Sequence, residues 1–184
     1  MAKLFSYVVA EDRGFAPNPT GGYCTLANCK CRREGIGRRN VAELANVSDW
    51  IVGTGGADKR KSSGHGTLIY AMKVEENLTL KEYYEDKRFK GRKGNVPEQS
   101  HRADTSALIS RHYWYFGRKK VCIPKKFQSL EKKGRGFKSN VNEEFIQDFT
   151  QWLEHNNKKG ESGKSCFNGD KTCIKVCKQT KGKC

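Results

Sequence analysis

The stretch that decides the fold is Gly66-Thr67-Leu68-Ile69-Tyr70-Ala71-Met72-Lys73-Val74. Its apolar centre is too short for a typical helix, is rich in β-prone side chains and is bounded by a glycine and a lysine, so the pattern predicts a buried strand. Val47-Ser48-Asp49-Trp50-Ile51-Val52-Gly53 has the same character and predicts a second buried strand. The polar residues between them, 53–66, predict a mobile connection.

Further elements extend this pair of strands in both directions. Residues 3–10 predict an opening strand, and the proline- and glycine-rich segment 13–22 predicts a loop. Thr79 and Glu82 have the spacing of a capping box, which predicts a short helix. From Asn142, apolar residues recur at helical spacing and predict the longest helix. Three more strands are expected at 107–110, 113–116 and 120–123, and a long surface loop at 87–104.

This element order predicts an α+β domain with a small curved or barrel-like sheet, a short capping helix and a C-terminal helix. Apolar periodicity stops near His155. The sequence therefore predicts a domain over residues 1–155 and a flexible Lys/Cys-rich tail over 156–184.

The charge of the chain favours an acidic partner. Of 184 residues, 36 are Lys or Arg and 20 are Asp or Glu, which gives a formal net charge of +16. Such an excess is typical of proteins that bind long polyanions. The sequence lacks the phosphate-binding and dinucleotide-binding glycine motifs, which argues against common nucleotide hydrolases and dehydrogenases. It also lacks an apolar segment long enough for a membrane span or signal peptide, so we expect a cytoplasmic protein without a membrane partner.

Half of the net charge lies in residues 118–139, which contain nine basic side chains and one acidic side chain. Phe127 and Phe137 are interleaved with these cations, a pattern suited to phosphates and exposed bases. A solvated face that keeps the protein soluble is the equal alternative. The lysines expected to contact a nucleic-acid backbone are Lys119, Lys120, Lys125, Lys126, Lys132 and Lys133.

The eight cysteines suggest two kinds of chemistry. A metal site, with zinc as the candidate ion, is predicted from the symmetric spacing in the tail, although an unstructured tail is the simpler alternative. Cys24 or Cys29 with His112 is the one nucleophile and base pair that the sequence allows, and a structural role for each residue is the alternative. The predicted metal ligands are Cys166, Cys173, Cys177 and Cys184.

A set of motifs in fixed order carries a family resemblance. The motifs run from Tyr7-Val8-Val9-Ala10 and Gly14-Phe15-Ala16-Pro17-Asn18-Pro19 through Asp49-Trp50-Ile51-Val52-Gly53-Thr54-Gly55 to Tyr84-Glu85-Asp86-Lys87-Arg88-Phe89 and Arg135-Gly136-Phe137-Lys138. Over about residues 3 to 154 the chain resembles the second of the nucleotide-modification-associated domain families of bacteria and phages. The resemblance implies an intracellular domain linked to modified bases. A fainter similarity to PUA-like and EVE domains implies a barrel that holds a single base.

From these observations we expect a domain that binds DNA, RNA or a nucleotide and recognises or processes a modified base. The base is expected near the loop 18–25 and the strand that starts at Asp49, with Trp50 stacking on it. Turn, strand and core roles for the same residues are the alternative. Two other functions remain open: an enzyme that uses the Cys/His pair on a base, and a phage or bacterial conflict protein that binds an acidic protein. The residues expected to contact the base are Asn18, Thr25, Asp49, Trp50 and Thr54.

Overall fold

The computed structural model describes residues 1–27, 41–92 and 106–166, and within them the chain has an α+β fold. The strands are β1 (Leu4–Val9), β2 (Cys24–Leu26), β3 (Trp50–Gly55), β4 (Thr67–Lys73), β5 (Glu76–Thr79), β6 (Ser106–Ser110), β7 (Tyr113–Tyr115), β8 (Val121–Cys122), β9 (Phe137–Lys138) and β10 (Gly160–Glu161). The helices are α1 (Val41–Leu44), α2 (Lys59–Ser62), α3 (Leu80–Glu85) and α4 (Glu143–Asn156).

The central sheet has seven strands, in the order β10-β7-β4-β3-β1-β9, with β8 also paired to β4. Its middle is formed by β3 and β4, which pair antiparallel and are the two strands predicted from the apolar stretches. β1 lies parallel to β3, with Leu4 opposite Trp50. A second sheet, β2-β6-β5, is antiparallel throughout.

The central strands are buried on both faces, which explains why their sequences are apolar almost without interruption. In β7, Tyr113 and Tyr115 belong to the core shared with β2, β6 and α1, whereas Trp114 belongs to the core beneath α4. Successive side chains of a strand point to opposite faces, so the two cores lie on opposite sides of the sheet. A third core joins the outer face of the small sheet to α3 and Phe89.

The two predicted helices are confirmed at their N-termini. The Thr79 hydroxyl accepts a hydrogen bond from the Glu82 backbone and the Glu82 carboxylate accepts one from the Thr79 backbone, which completes the capping box of α3. The Asn142 side chain caps α4 by accepting from the Phe145 backbone N–H.

Of the two sheet forms expected, curved or barrel-like, the barrel is wrong. Among the described residues the central sheet has two ends, β10 and β9, and the remaining strands form a separate sheet. Strand counting from the sequence could not show this, because β1 and β3 pair in parallel across a connection that includes β2 and α1.

The segment 53–66 is also more ordered than predicted. β3 continues to Gly55, and α2 follows with Asp58 as its N-cap. Ser62 and Ser63 are buried at the end of this helix. Of the long loop predicted at 87–104, residues 93–104 lie outside the described residues, while Phe89 is buried rather than on the surface.

Residues 157–166, here called the strap, pack against the domain beyond the boundary predicted at residue 155. β10 pairs in parallel with β7, and the Lys164 carbonyl accepts a hydrogen bond from the Arg118 backbone N–H at 2.9 Å. Gly117 and Gly163 allow this close approach: a Cβ on Gly117 would lie 2.2 Å from the Lys164 oxygen, and one on Gly163 1.9 Å from the Phe116 oxygen. The described structure therefore continues to residue 166.

Candidate functional site

A cavity of about 260 Å³ lies at the carboxyl end of β1. Its walls are residues 7–11, which are the end of β1 and its extension, together with Arg13, Phe15 and Ala16 from the loop that follows. β9 pairs with β1 only at Ser6 and Tyr7, so in the described structure the β9-facing edge of β1 has no paired strand beyond Tyr7. The cavity thus combines an open strand edge with side chains from a loop.

Three kinds of chemistry meet in the cavity walls. The Phe15 ring is half-buried and offers an apolar face. The Glu11 carboxylate accepts hydrogen bonds from the Arg13 guanidinium at 2.7 Å and the Lys61 ammonium at 3.0 Å, and these bonds lower the pKa of Glu11. Because exposed ion pairs contribute little net free energy, Arg13 can exchange Glu11 for an anionic ligand at small cost.

Hydrogen bonds to the buried Asp12 carboxylate anchor the loop that lines the cavity. Its carboxylate is buried and accepts hydrogen bonds from the Tyr115 hydroxyl at 2.7 and 2.8 Å and from the backbone N–H groups of Gly14 at 3.3 Å and Cys166 at 3.2 Å. Burial raises the pKa of the Asp12 carboxyl. These bonds fix the residues on either side of Asp12, so Glu11 and Arg13 face the cavity from a supported backbone.

Basic side chains flank the cavity on two sides. α2 carries Lys59, Arg60 and Lys61, and the Ser62 hydroxyl at its end donates to the Val9 carbonyl, which ties the helix to the end of β1. On the other side, β9 is antiparallel to β1 with Phe137 opposite Tyr7. The residues that precede Phe137, among them Arg135, therefore approach the end of β1 at which the cavity lies.

Comparison with known families identifies the domain. A family model described as nucleotide modification associated domain 2 matches residues 1–104 and 91–168. The chain belongs to this family. The match includes the cavity loop and the whole strap, and the family description associates the domain with nucleotide modification.

The other two comparisons found no similar protein. No curated protein and no solved structure matches this member of the family. The similarity to PUA-like and EVE domains therefore stays a prediction. No helix in the described part of this family member is long and apolar enough to cross a bilayer.

The residues predicted to contact a base lie apart, with Asn18 and Thr25 at the small sheet and Trp50 in the core beneath α4. Asn18 and Thr25 are buried and pair through their backbones at 2.9 Å in both directions, and the Thr25 hydroxyl also contacts the Tyr83 hydroxyl at 2.9 Å. Trp50 is 6% exposed and packs in the core beneath α4, where its ring meets His112 edge-on. Trp50 thus has no free face on which a base could stack.

Asp49 and Thr54 take structural roles at the two ends of β3. The Asp49 carboxylate accepts hydrogen bonds from the backbone N–H groups of Lys3 at 2.7 Å and Asn46 at 2.9 Å, which joins the start of β1 to the turn before β3. The Thr54 hydroxyl is buried and donates to the Tyr7 carbonyl at 3.2 Å. Both side chains thus form hydrogen bonds with backbone groups.

Of the two candidate nucleophiles, the described residues include Cys24, and it does not meet His112. Cys24 is fully buried in the core between the two sheets, where burial raises the pKa of its thiol. His112 contacts Trp50 and Trp114, which belong to the core on the opposite side of the central sheet. Cys29, the other candidate nucleophile, lies outside the described residues.

The lysines predicted to bind phosphates lie on three separate segments. One pair is at the end of a 3-10 turn after β7, another begins the 3-10 helix that packs on α4, and the third lies in the segment leading to β9. None of these lysines is among the residues that line the cavity. In chain order the pairs are Lys119 and Lys120, Lys125 and Lys126, and Lys132 and Lys133.

The predicted zinc site in the tail stays a prediction. Cys166 is buried, with its sulfur 3.2 Å from the Ser63 hydroxyl, while Cys173, Cys177 and Cys184 lie outside the described residues. Within the described ranges, no three Cys, His, Asp or Glu side chains form a group that could hold a metal ion. Cys122, predicted to be a strand residue, is disulfide-bonded rather than a free thiol.

Reasoning from the sequence missed Arg13 and Phe15 as candidate ligand contacts. Both lie in the proline- and glycine-rich loop, and Phe15 belongs to the motif Gly14-Phe15-Ala16-Pro17-Asn18-Pro19 that carries the family resemblance. A partly exposed aromatic residue beside a cation in such a motif is the signal that could have identified them.

Proposed function

We propose that this domain binds a nucleotide, either free or within a nucleic acid, in the cavity at the end of β1. The observation that carries the proposal is the joint presence of Phe15, Arg13, Glu11 and an open strand edge around one cavity. An aromatic ring stacks on a base, and a guanidinium pairs with a phosphate through two parallel hydrogen bonds. A carboxylate or backbone carbonyl accepts from the amino groups of a base edge.

The size of the cavity supports a single nucleotide. Its volume of about 260 Å³ is below the roughly 300–1,000 Å³ of pockets that enclose larger ligands. A cavity of this volume suits one nucleotide better than a dinucleotide cofactor. The family association with nucleotide modification supports a modified base as the preferred ligand.

The surrounding charge supports an anionic ligand. Arg13, Lys61 and the rest of α2 lie on one side, and the basic segment before β9 approaches from the other. Binding of DNA or RNA should therefore weaken as salt is added, because bound cations are released from the phosphates. A DNA-modifying or base-recognising role in a bacterial or phage-infected cell agrees with these features.

Calorimetric titration with natural and modified mononucleotides at low salt tests the proposal. We expect Phe15→Ala to weaken binding by roughly 5- to 150-fold, since stacking on an aromatic ring contributes about 1–3 kcal/mol per base. Phe15→Leu is the matched control, because it keeps an apolar side chain but removes the aromatic face. It should lose most of the same affinity while the thermal midpoint stays unchanged.

Two results would overturn the proposal. One is the absence of binding by every nucleotide and oligonucleotide tested. The other is equal binding of an acidic polypeptide such as polyglutamate, unaffected by Phe15→Ala, which would favour the acidic protein partner instead.

A further inference from the structure

A second charged surface lies on the outer side of the small sheet, away from the cavity walls. We call it the arginine surface and define it by Tyr23, Arg88, Arg92 and Arg111. Tyr23 lies between two guanidinium groups, with the Arg88 carbon 5.6 Å and the Arg111 carbon 4.9 Å from the centre of its ring. This arrangement orders the arginines by cation–π contact.

Hydrogen bonds fix the arginines further. Arg111 donates to the Tyr23 hydroxyl at 2.6 Å, and this bond lowers the pKa of Tyr23. Arg92 donates to the Thr25 hydroxyl at 3.0 Å and to the Tyr23 carbonyl at 3.2 Å, and its guanidinium lies 5.2 Å from the centre of the Phe89 ring. The buried Thr25 therefore serves to position Arg92.

The arginines differ in how their charge is balanced. Arg88 forms two hydrogen bonds of 2.7 Å to the Glu76 carboxylate and another of 2.7 Å to Asp86. Within the described ranges, neither Arg92 nor Arg111 forms an ion pair with a carboxylate side chain. Each of these two guanidinium groups keeps further N–H donors for a ligand.

We infer that the arginine surface binds phosphates of a nucleic-acid strand, with Arg92 and Arg111 as the contacts. The chemistry favours phosphate because ordered guanidinium groups without a carboxylate partner match its oxygens. The choice of a nucleic-acid strand rests on the proposed function, which places one nucleotide of that strand in the cavity. The strand then extends over both regions, so the substrate is a polynucleotide rather than a free nucleotide.

The chain itself limits the distance between the two regions. Tyr23 follows Phe15 by eight residues, so at about 3.6 Å per residue the two lie at most about 29 Å apart. One strand of a duplex advances about 3.4 Å per nucleotide, so roughly nine nucleotides are enough to cover that distance. A single-stranded 12-mer is therefore long enough to contact both regions, and a mononucleotide is not.

The experiment compares a fluorescent 12-mer with a mononucleotide across a range of salt concentrations. The double variant Arg92→Ala/Arg111→Ala should weaken binding of the 12-mer by about tenfold or more. It should also reduce the slope of log affinity against log salt by about 1.4, since each single-strand phosphate contact contributes about 0.7. Its affinity for the mononucleotide should not change.

Two control variants separate phosphate contact from charge and folding. Lys3→Ala/Lys158→Ala removes the same charge from exposed positions elsewhere and should change the slope little. Arg92→Lys/Arg111→Lys keeps the charge but loses the planar pair of donors, so it should retain the slope and bind less tightly. The lysine variant also serves if the alanine variant does not fold.

The outcomes distinguish this inference from the proposed function. If the mononucleotide binds and requires Phe15, but neither arginine variant alters 12-mer binding or its salt slope, the arginine surface is not a phosphate site. If no mononucleotide binds but the 12-mer binds through Arg92 and Arg111, the surface stands and the cavity proposal fails. If polyglutamate competes fully with the 12-mer at these arginines, the partner is an acidic protein and the inference is overturned.

Discussion

The core beneath α4 and the end of β1 achieve order in different ways. Beneath α4, large apolar side chains fill the space: the Phe127 ring lies 5.4 Å from Phe149 and 5.6 Å from Trp152. At the end of β1, a buried carboxylate is held by a hydroxyl and two backbone N–H groups. Apolar packing is non-directional, whereas each hydrogen bond requires one donor in one place. The first region supplies stability, and the second fixes the geometry of a site.

The largest effect is expected from Phe149→Ala, which disrupts the apolar packing of the core beneath α4. Phe149 is fully buried, and its loss leaves a cavity among aromatic rings, so unfolding should become easier by about 3–5 kcal/mol. Chemical denaturation measures this change. The fraction that remains folded should bind a mononucleotide with unchanged affinity, and reduced affinity would show that the two regions are coupled.

An intermediate effect is expected from Tyr115→Phe, which removes the hydroxyl that donates to Asp12. Leaving a buried acceptor without this partner should destabilise the protein by about 1–3 kcal/mol. Nucleotide affinity should also fall, because the loop that carries Arg13 and Phe15 loses an anchor.

Tyr113→Phe is the matched control for this prediction. The Tyr113 hydroxyl donates at 3.1 Å to a backbone carbonyl, that of Pro19, and not to a carboxylate. This variant should lose about 0.5–1.5 kcal/mol and keep its nucleotide affinity. Equal losses of affinity in the two variants would contradict a special role for Asp12.

The smallest effect on stability is expected from a change of pH, which titrates His112 beside the core beneath α4. Burial against Trp50 and Trp114 lowers the pKa of His112 below its usual 6.5. The unfolded chain therefore takes up the proton first, and stability falls as the pH drops from 6.5 toward the pKa of the folded protein.

His112→Phe keeps a ring between the tryptophans and removes the titration. As the pH falls from 7 to 5.5, the unfolding free energy of the wild type should decrease relative to that of the variant. Groups common to both proteins, such as Asp12, cancel in this difference. A difference that does not change with pH would contradict the lowered pKa.

Much of the fold was predictable because it follows from local patterns. β4 and α4 are recognisable from a short apolar run and from helical spacing. The capping box of Thr79 and Glu82 and the cap at Asn142 are signals within a few residues. β5 was missed because its four residues, Glu76 to Thr79, are mostly polar and run directly into a helix. The barrel was predicted wrongly because a list of strands contains no information about which edges stay unpaired.

The candidate site was less predictable because its geometry depends on residues far apart in sequence. Asp12 is placed by Tyr115 and Cys166, which follow it by 103 and 154 residues. The predicted base-stacking residue, Trp50, fits an apolar strand equally well as a core side chain, and the structure assigns it to the core. Thr25 lies in the middle of β2, and its contact with Arg92 depends on the positions of two segments 67 residues apart.

The strap also affects the order in which parts of a newly synthesised chain can fold. Its β10 residue Gly160 pairs with Trp114, and the Cys166 backbone N–H donates to Asp12, which precedes it by 154 residues. Contacts between such distant residues form late in folding, since the intervening loop must close first. During translation the loop that contains Asp12 therefore emerges early but stays incomplete until residue 166 has left the ribosome. A truncated translation product would have the binding residues without the support that arranges them.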